Sequence, residues 1–152
     1  MKPGKIARLV CMAAATALAS CSKPQATYSV VERSASDIAA DLASGKVTSE
    51  ALVTAYEDRI KAEDGKLKAV LALSPKAIEA ARESDARRKA GKPLSPLDGV
   101  PILIKDNIDF AGMPTTAGSL ALKDNVPAKN APMVQRLVDG GVVILGKANL
   151  SE

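Results

Sequence analysis

A lysine, an aspartate and an asparagine follow directly on an apolar run in the middle of the chain. The run is VPILI, residues 100–104, and the polar residues are Lys105, Asp106 and Asn107. Such a run is typical of a strand buried on both faces of a parallel sheet, and α/β proteins bind ligands at the carboxyl ends of such strands. A lysine at this place has two explanations. Its ammonium group reaches back to water, or its amine lies in a low-dielectric site, where it loses its proton more readily and can act as a base.

Three segments before this run predict helices, and one predicts a strand. The predicted N-caps and stops are, in chain order, Ser34 or Ser36 with Gly45, Thr48 with Gly65, and Ser74 with Gly91. In the third helix, Ile78, Ala81 and Ala86 are predicted to share one face. KAVLAL, residues 68–73, predicts a short strand between the second and third helices.

A second strand-forming run follows the lysine after a loop and a helix. Asn130 is the predicted N-cap of a helix that ends at Gly140-Gly141, and VVIL, residues 142–145, predicts a buried strand. A strand, a helix and a strand in succession form a crossover between parallel strands. The sequence therefore predicts an α/β fold, in which N-terminal helices lead into a mixed, largely parallel sheet.

One motif in the second run has a misleading pattern. GVVILGKA, residues 141–148, matches the G-x-x-x-x-G-K pattern of a phosphate-binding loop. That loop needs irregular structure between its glycines and a Ser or Thr after its lysine. Here the interval is a β-branched run and Ala148 stands in the hydroxyl position, so the pattern favours a strand.

Composition excludes several classes of function. The formal net charge is +4, from 21 basic and 17 acidic residues. Lys2, Lys5 and Arg8 belong to a predicted leader, and without these three the balance is 18 against 17, a net charge of +1. With no basic stripe and few aromatic residues, we expect no nucleic-acid partner. The chain has no histidine, and its two cysteines both lie near the N-terminus, so we predict neither a metal site nor a cofactor.

The N-terminus predicts an export signal with a lipid anchor. A basic start precedes an apolar stretch, Leu9 to Ala19, that is too short to span a bilayer. LASC, residues 18–21, resembles the bacterial lipobox, whose cysteine, here Cys21, is acylated. The alternative is cleavage after Ala19 by an ordinary signal peptidase.

On this interpretation residues 1–20 are a lipoprotein signal peptide and residues 21–30 are a tether. Acyl chains on Cys21 would hold the protein at a membrane surface. We therefore predict a location in the bacterial cell envelope, in the outer membrane or on the periplasmic face where the host has two membranes.

Three blocks of the chain together resemble the amidase signature family. They are LDGVPILIKDNID at 97–109, TTAGS at 115–119 and NAPMVQRLVDGGVVILGKANLSE at 130–152. Two residues depart from the family pattern, Asn130 where the family often has Asp and Ala148 where it often has Thr. The resemblance identifies residues 31–152 as the N-terminal part of an amidase domain, with the amidase signature fold incomplete in this chain.

The resemblance implies a role for Lys105 in a Ser–cis-Ser–Lys triad. In that family a neutral lysine takes a proton through the middle serine and so activates the nucleophilic serine against an amide carbonyl. The lysine then helps to deliver a proton to the leaving amine, while backbone N–H groups of a glycine-rich turn hold the oxyanion. Asp106 and Asn107 are predicted to hold the turn after Lys105 through backbone hydrogen bonds.

The blocks that carry the two serines of this family are not found in the sequence. Ser119 and Ser151 lie in other blocks, and there is no Gly/Ser-rich run. We therefore interpret the chain as the N-terminal portion of a longer, exported amidase that acts on small-molecule or peptide amides, and predict that the chain alone is inactive. One alternative is the amidase subunit of a tRNA-dependent amidotransferase, against which export argues because charged tRNA is cytosolic. The other is a non-catalytic, lipid-anchored module.

Overall fold

The computed structural model describes residues 28–150. In this range the chain forms four α-helices, three β-strands and a short 3-10 helix at Leu120–Leu122. In chain order the main elements are α1 (Ala35–Ala43), α2 (Ser49–Leu67), β1 (Val70–Leu73), α3 (Ala77–Lys89), β2 (Pro101–Lys105), α4 (Pro132–Asp139) and β3 (Val143–Ala148). The predicted leader and Cys21 lie outside the described residues.

The strands form one mixed sheet with β3 in its centre. β2 and β3 pair in parallel, and α4 lies in the connection between them, whereas β1 pairs with β3 in the antiparallel direction. The predicted α/β class, with N-terminal helices that lead into a mixed sheet, is confirmed.

Helices pack on both faces of β3. On one face, Val143 and Leu145 of β3 form an apolar cluster with residues of α2 and α3, namely Val53, Ala77 and Ala81. On the other face, Ile144 of β3 forms a cluster with Ile104 of β2 and Val134 of α4. Successive residues of a strand point to opposite faces, so one short strand contributes to two clusters. This explains why β3 is buried from Val143 to Lys147.

The first two helices start at their predicted caps. The Ser34 hydroxyl accepts a hydrogen bond from the Asp37 N–H at 3.1 Å, and the Asp37 carboxylate accepts one from the Ser34 N–H at 3.3 Å, which is a capping box. The Thr48 hydroxyl accepts a hydrogen bond from the Ala51 N–H at 3.2 Å. Both hydroxyls satisfy N–H groups that have no partner within the helix.

The predicted stop of α2 at Gly65 is wrong. The helix continues to Leu67, and Lys68 then takes a left-handed conformation with a φ of 55°. The Asp64 carboxylate accepts hydrogen bonds from the N–H groups of Ala69 and Val70 at 2.7 and 3.2 Å. These bonds hold the chain in a turn that glycine usually makes.

The predicted caps of α3 and α4 are also wrong. The Ser74 backbone oxygen closes a turn with the Ala77 N–H at 3.2 Å, and α3 begins only at Ala77. The Asn130 side chain accepts a hydrogen bond from the Ala111 N–H at 2.8 Å, so it holds the preceding loop instead of the helix. Pro132, whose fixed φ suits the first turn, starts α4.

Three other expectations need correction. Ala86 does not lie on the buried face of α3, which is formed by Ala77, Ala81 and Ser84. The described residues do not cover both faces of β2, because Leu103 is 38% exposed. Val30, which was predicted to belong to the tether, is buried in a cluster with residues of α1 and α2.

A buried carboxylate ties α3 to the segment before β2. The Asp98 side chain is fully buried, and Arg87 donates to its two oxygens at 2.8 and 3.0 Å. Burial alone would raise the pKa of Asp98, but the hydrogen bonds from Arg87 and from the Leu94 N–H outweigh burial and lower that pKa.

We expect Asp98→Asn to lower the free energy of unfolding by about 2 kcal/mol at neutral pH, because the amide leaves the Arg87 guanidinium without its counter-charge. The stabilisation by ionised Asp98 is lost as the pH falls from the ordinary carboxyl pKa through the lowered pKa of the folded state. The two proteins should therefore converge in stability in acid. Thermal melting at neutral and acid pH measures both effects, and equal melting temperatures at neutral pH would contradict the prediction.

Candidate active site

Lys105 ends β2 at the carboxyl edge of the sheet. It is the register partner of Ala148, the last residue of β3. Because the two strands are parallel, their carboxyl ends meet at the edge where α/β proteins bind ligands. The Lys105 side chain is exposed. The described residues therefore do not supply the low-dielectric surroundings of our second explanation.

A turn after Lys105 fixes its backbone. The Ile108 N–H donates to the Lys105 oxygen at 2.9 Å, and the Asp106 N–H donates to the Ala148 oxygen at 3.0 Å. The second bond continues the pairing of β2 with β3 one residue beyond the end of β2. Lys105 thus lies between two backbone hydrogen bonds that restrict the conformations it can adopt.

Asp106 lies inside this turn and connects it to the following loop. The residue is 2% exposed. Its carboxylate accepts hydrogen bonds from the N–H and the hydroxyl of Thr116 at 3.0 and 2.5 Å. These bonds join Asp106 to the loop and not to the turn itself, so its predicted role in holding the turn stays a prediction. Asn107 is exposed, and its supporting role stays a prediction.

Lys147 is the charged residue that the sequence analysis missed. It is 1% exposed, although it is a lysine in the central strand. Its ammonium group donates to the Ile108 oxygen at 2.7 Å and to the Thr115 hydroxyl at 3.2 Å, and it lies 3.5 Å from a carboxylate oxygen of Asp106. In the sequence, Lys147 lies in the rejected phosphate-loop pattern and in the block at 130–152, and neither predicts a role for it. One signal was present, since Lys147 follows a buried apolar run as Lys105 does.

The loop between β2 and α4 closes over this ion pair. Met113 and Thr115 are buried in it, and the Asn125 side chain donates to the Thr115 backbone oxygen at 2.9 Å. Ala117 and Gly118 follow with φ values of 47° and 74°, which turn the chain back towards the surface. The Ala117 N–H donates to the Asp106 backbone oxygen at 3.4 Å. The block TTAGS is therefore part of the structure that surrounds Asp106.

The charged groups at this edge have two different chemical capacities. Lys105 is exposed and can exchange a proton with a group that approaches the edge. Asp106 and Lys147 neutralise each other in the interior, and their hydrogen bonds fix the turn and the loop. Of the predicted site residues, the structure brings Lys105, Asp106 and Asn107 to this edge and does not describe Cys21.

Two kinds of feature are absent from residues 28–150. No group of three or more His, Cys, Asp or Glu side chains in this range is arranged to hold a metal ion. None of the helices in the same range combines the length and the apolar character that a membrane span requires.

Comparison with known proteins assigns the chain to a family. The family model described as Amidase matches residues 51–152, a range that contains β2, the Asp106 turn and β3. One subunit of the glutamyl-tRNA(Gln) amidotransferase of Acidothermus cellulolyticus is 43% identical over 124 residues, which are 81% of this chain and 25% of that protein.

Solved structures resemble both the fold and the sequence. The native peptide amidase of Stenotrophomonas maltophilia superposes with a TM-score of 0.77 and is 45% identical, over 80% of this chain and 26% of that one. A peptide amidase in complex with the competitive inhibitor chymostatin gives a TM-score of 0.76 at 45% identity, over 80% of this chain and 26% of that one. The chain thus spans about a quarter of the length of the relatives it matches.

Proposed function

This chain belongs to the amidase family, and we propose on that premise that it is part of an enzyme that hydrolyses the C–N bond of linear carboxamides. The observation that carries the proposal is the position of Lys105 within the matched residues, at the carboxyl edge of the parallel strand pair. A base must reach the proton that it takes from the nucleophile. An exposed amine on a turn with a fixed backbone meets that requirement.

We assign to Lys105 the role of the base in a serine mechanism. Its neutral amine accepts the proton of a nucleophilic serine through a second serine, and the serine oxygen attacks the amide carbonyl. The same lysine then returns a proton to the leaving amine, and the acyl-enzyme is hydrolysed by water. The approach of the serines would desolvate Lys105, which is exposed among the described residues.

The two serines would come from the remainder of a longer protein. The 152 residues contain no Gly/Ser-rich run of the kind that supplies them. The relatives are about four times as long as the segments that match this chain, which gives room for both serine blocks.

The substrate we favour is a small-molecule amide or a peptide amide. The support comes from the likeness to a peptide amidase and to a peptide amidase in complex with chymostatin, each 45% identical. The test is the release of ammonia from C-terminally amidated peptides by the full-length protein, with Lys105→Ala as the control. If wild type and control release ammonia equally slowly from a broad panel of amides, the proposal is wrong.

The second candidate is the amidase component of a tRNA-dependent amidotransferase. Relatives that are named as a subunit of glutamyl-tRNA(Gln) amidotransferase are 42 to 46% identical, so identity alone does not favour the peptide amidase. The export signal predicted from residues 1–20 favours the peptide amidase. Hydrolysis of simple amides by the full-length protein without other subunits would favour it too, whereas transfer of ammonia to a charged tRNA would favour the amidotransferase. The third candidate is a non-catalytic, lipid-anchored module, which predicts no turnover in either assay.

A lipid anchor at Cys21 is part of the proposal and has its own test. We expect radioactive palmitate to label the wild-type protein in a bacterial host and to leave Cys21→Ser unlabelled. Cys11→Ser is the matched control, because Cys11 is the other cysteine of the chain and lies outside the LASC block. Labelled Cys21→Ser would show that the anchor is elsewhere, and an unlabelled wild type would favour cleavage after Ala19.

A further inference from the structure

We propose that Lys147 is a positioning residue for Lys105, which it serves by clamping the turn that follows β2. The inference rests on the proposed function, because it takes Lys105 as the base. Lys147 lies in a different strand, 42 positions after Lys105 in the chain. Its ammonium group would support Lys105 without touching the substrate.

The clamp holds the turn at two points. The Lys147 ammonium group donates to the Ile108 oxygen at 2.7 Å and lies 3.5 Å from the Asp106 carboxylate. Asp106 is the first residue after Lys105, and Ile108 closes the turn by its N–H bond to the Lys105 oxygen at 2.9 Å. A single side chain therefore holds both the start and the end of the turn.

The same strand also holds the backbone of the turn. Lys147 is the register partner of Ile104, and Ala148 pairs with Lys105 and accepts the Asp106 N–H at 3.0 Å. The side chain and the backbone of β3 thus both act on the turn, through Lys105, Asp106 and Ile108. Any movement of the turn relative to β3 would break bonds of both kinds.

Both charged side chains of the clamp are buried, and their hydrogen bonds explain what they do there. Lys147 is 1% exposed and Asp106 is 2% exposed. A buried ion pair is often no more stabilising than apolar side chains of the same volume, because both ions lose their hydration. An ammonium group, however, donates to several acceptors at once, and here they come from the turn and from Thr115 of the loop.

The consequence for catalysis follows from the geometry of proton transfer. A base works within hydrogen-bond distance of its proton, and a misplacement of about 1 Å can cost about a hundredfold in rate. Loosening residues 105–108 would let the Lys105 amine leave that distance. Substrate contacts elsewhere would remain, so kcat should fall while KM changes little.

The experiment compares Lys147→Met with Arg87→Met in the full-length protein. Both substitutions remove the cation that pairs with a buried carboxylate, but Arg87 binds Asp98, away from the Lys105 turn. We expect both variants to melt at a lower temperature. Only Lys147→Met should also lower kcat, by about ten- to a hundredfold, with KM nearly unchanged. Equal kcat in the two folded variants would overturn the proposal.

A double variant separates positioning from stability. Asp106→Asn combined with Lys147→Met leaves no unpaired buried charge, so its melting temperature should recover partly relative to Lys147→Met. Its kcat should stay low, because the bond to the Ile108 oxygen is still missing. Recovery of both quantities would show a purely structural role.

If Lys147→Met does not fold, Thr115→Val is the substitute, because it removes one acceptor of the ammonium group. This variant should still lower kcat, and an unchanged kcat would overturn the proposal.

Amide hydrogen exchange tests the clamp without any enzymatic activity. The N–H groups of Ile108 and Thr116 should exchange faster in Lys147→Met than in Arg87→Met, because the first bonds to Lys105 and the second to Asp106. Equal exchange would overturn the clamp whatever the enzyme does. A wild type that hydrolyses no amide would instead count against the proposed function, so the two failures can be told apart.

Discussion

We expect Lys105→Arg and Lys105→Ala each to lower the kcat of the full-length enzyme on a peptide amide by at least about a hundredfold, the usual loss for a missing general base. Arginine keeps the positive charge and most of the length of lysine, but its guanidinium group stays protonated and cannot accept a proton. If Lys105 were only an exposed strand end, arginine would replace it without effect.

The control for this prediction is a lysine that is also exposed and lies outside the candidate site. Lys92 lies in the loop between α3 and β2 and is exposed, so Lys92→Arg should retain the wild-type rate. Circular dichroism and thermal melting should change little in either Lys105 variant, since the side chain belongs to no apolar cluster. Lys105→Arg with most of the wild-type kcat would mean that the lysine is not the base.

The strands of the sheet were predictable because their sequences carry the signal themselves. Apolar runs at 100–104 and 142–145 correspond to β2 and β3, and their parallel pairing followed from the helix between them. The structure extends β3 to Ala148. The extension includes Gly146 and Lys147, and both residue types are less frequent in strands than elsewhere.

Helix boundaries were predictable where a nearby side chain decides them, or where a glycine does so, as Gly140 does at the end of α4. Ser34 and Thr48 cap their helices within three residues, and both predictions are confirmed. The end of α2 is decided by Asp64, which holds the chain after Lys68. Asn130 fails as a cap because the Ala111 N–H, 19 residues earlier, is its partner. Such partners are set by the tertiary fold and leave no local pattern.

The residues of the candidate site also differ in whether local sequence or the tertiary fold reveals them. Lys105 was predicted as a site residue because it follows an apolar run, at the edge where ligands bind, and because its block resembles the amidase signature family. Lys147 was not identified, because its importance depends on the register that places it beside Ile104 and near the turn. Burial of a lysine also contradicts the general behaviour of this residue type. The exposure of Lys105 and the burial of Lys147 are therefore the two facts that required a structure.

We expect the 152-residue chain, purified by itself, to show no amide hydrolysis above the uncatalysed rate. A lysine base without a nucleophile has no serine to activate, and the middle serine that would relay the proton is missing as well. The measurement is ammonia release from the peptide amides that the full-length protein cleaves, at matched concentrations of the two proteins. The Lys105→Ala form of the short chain is the control for contaminating hydrolases. Turnover by the short chain that disappears in this control would mean that the 152 residues contain a nucleophile of their own. The assignment of the serines to the remainder of a longer protein would then be wrong.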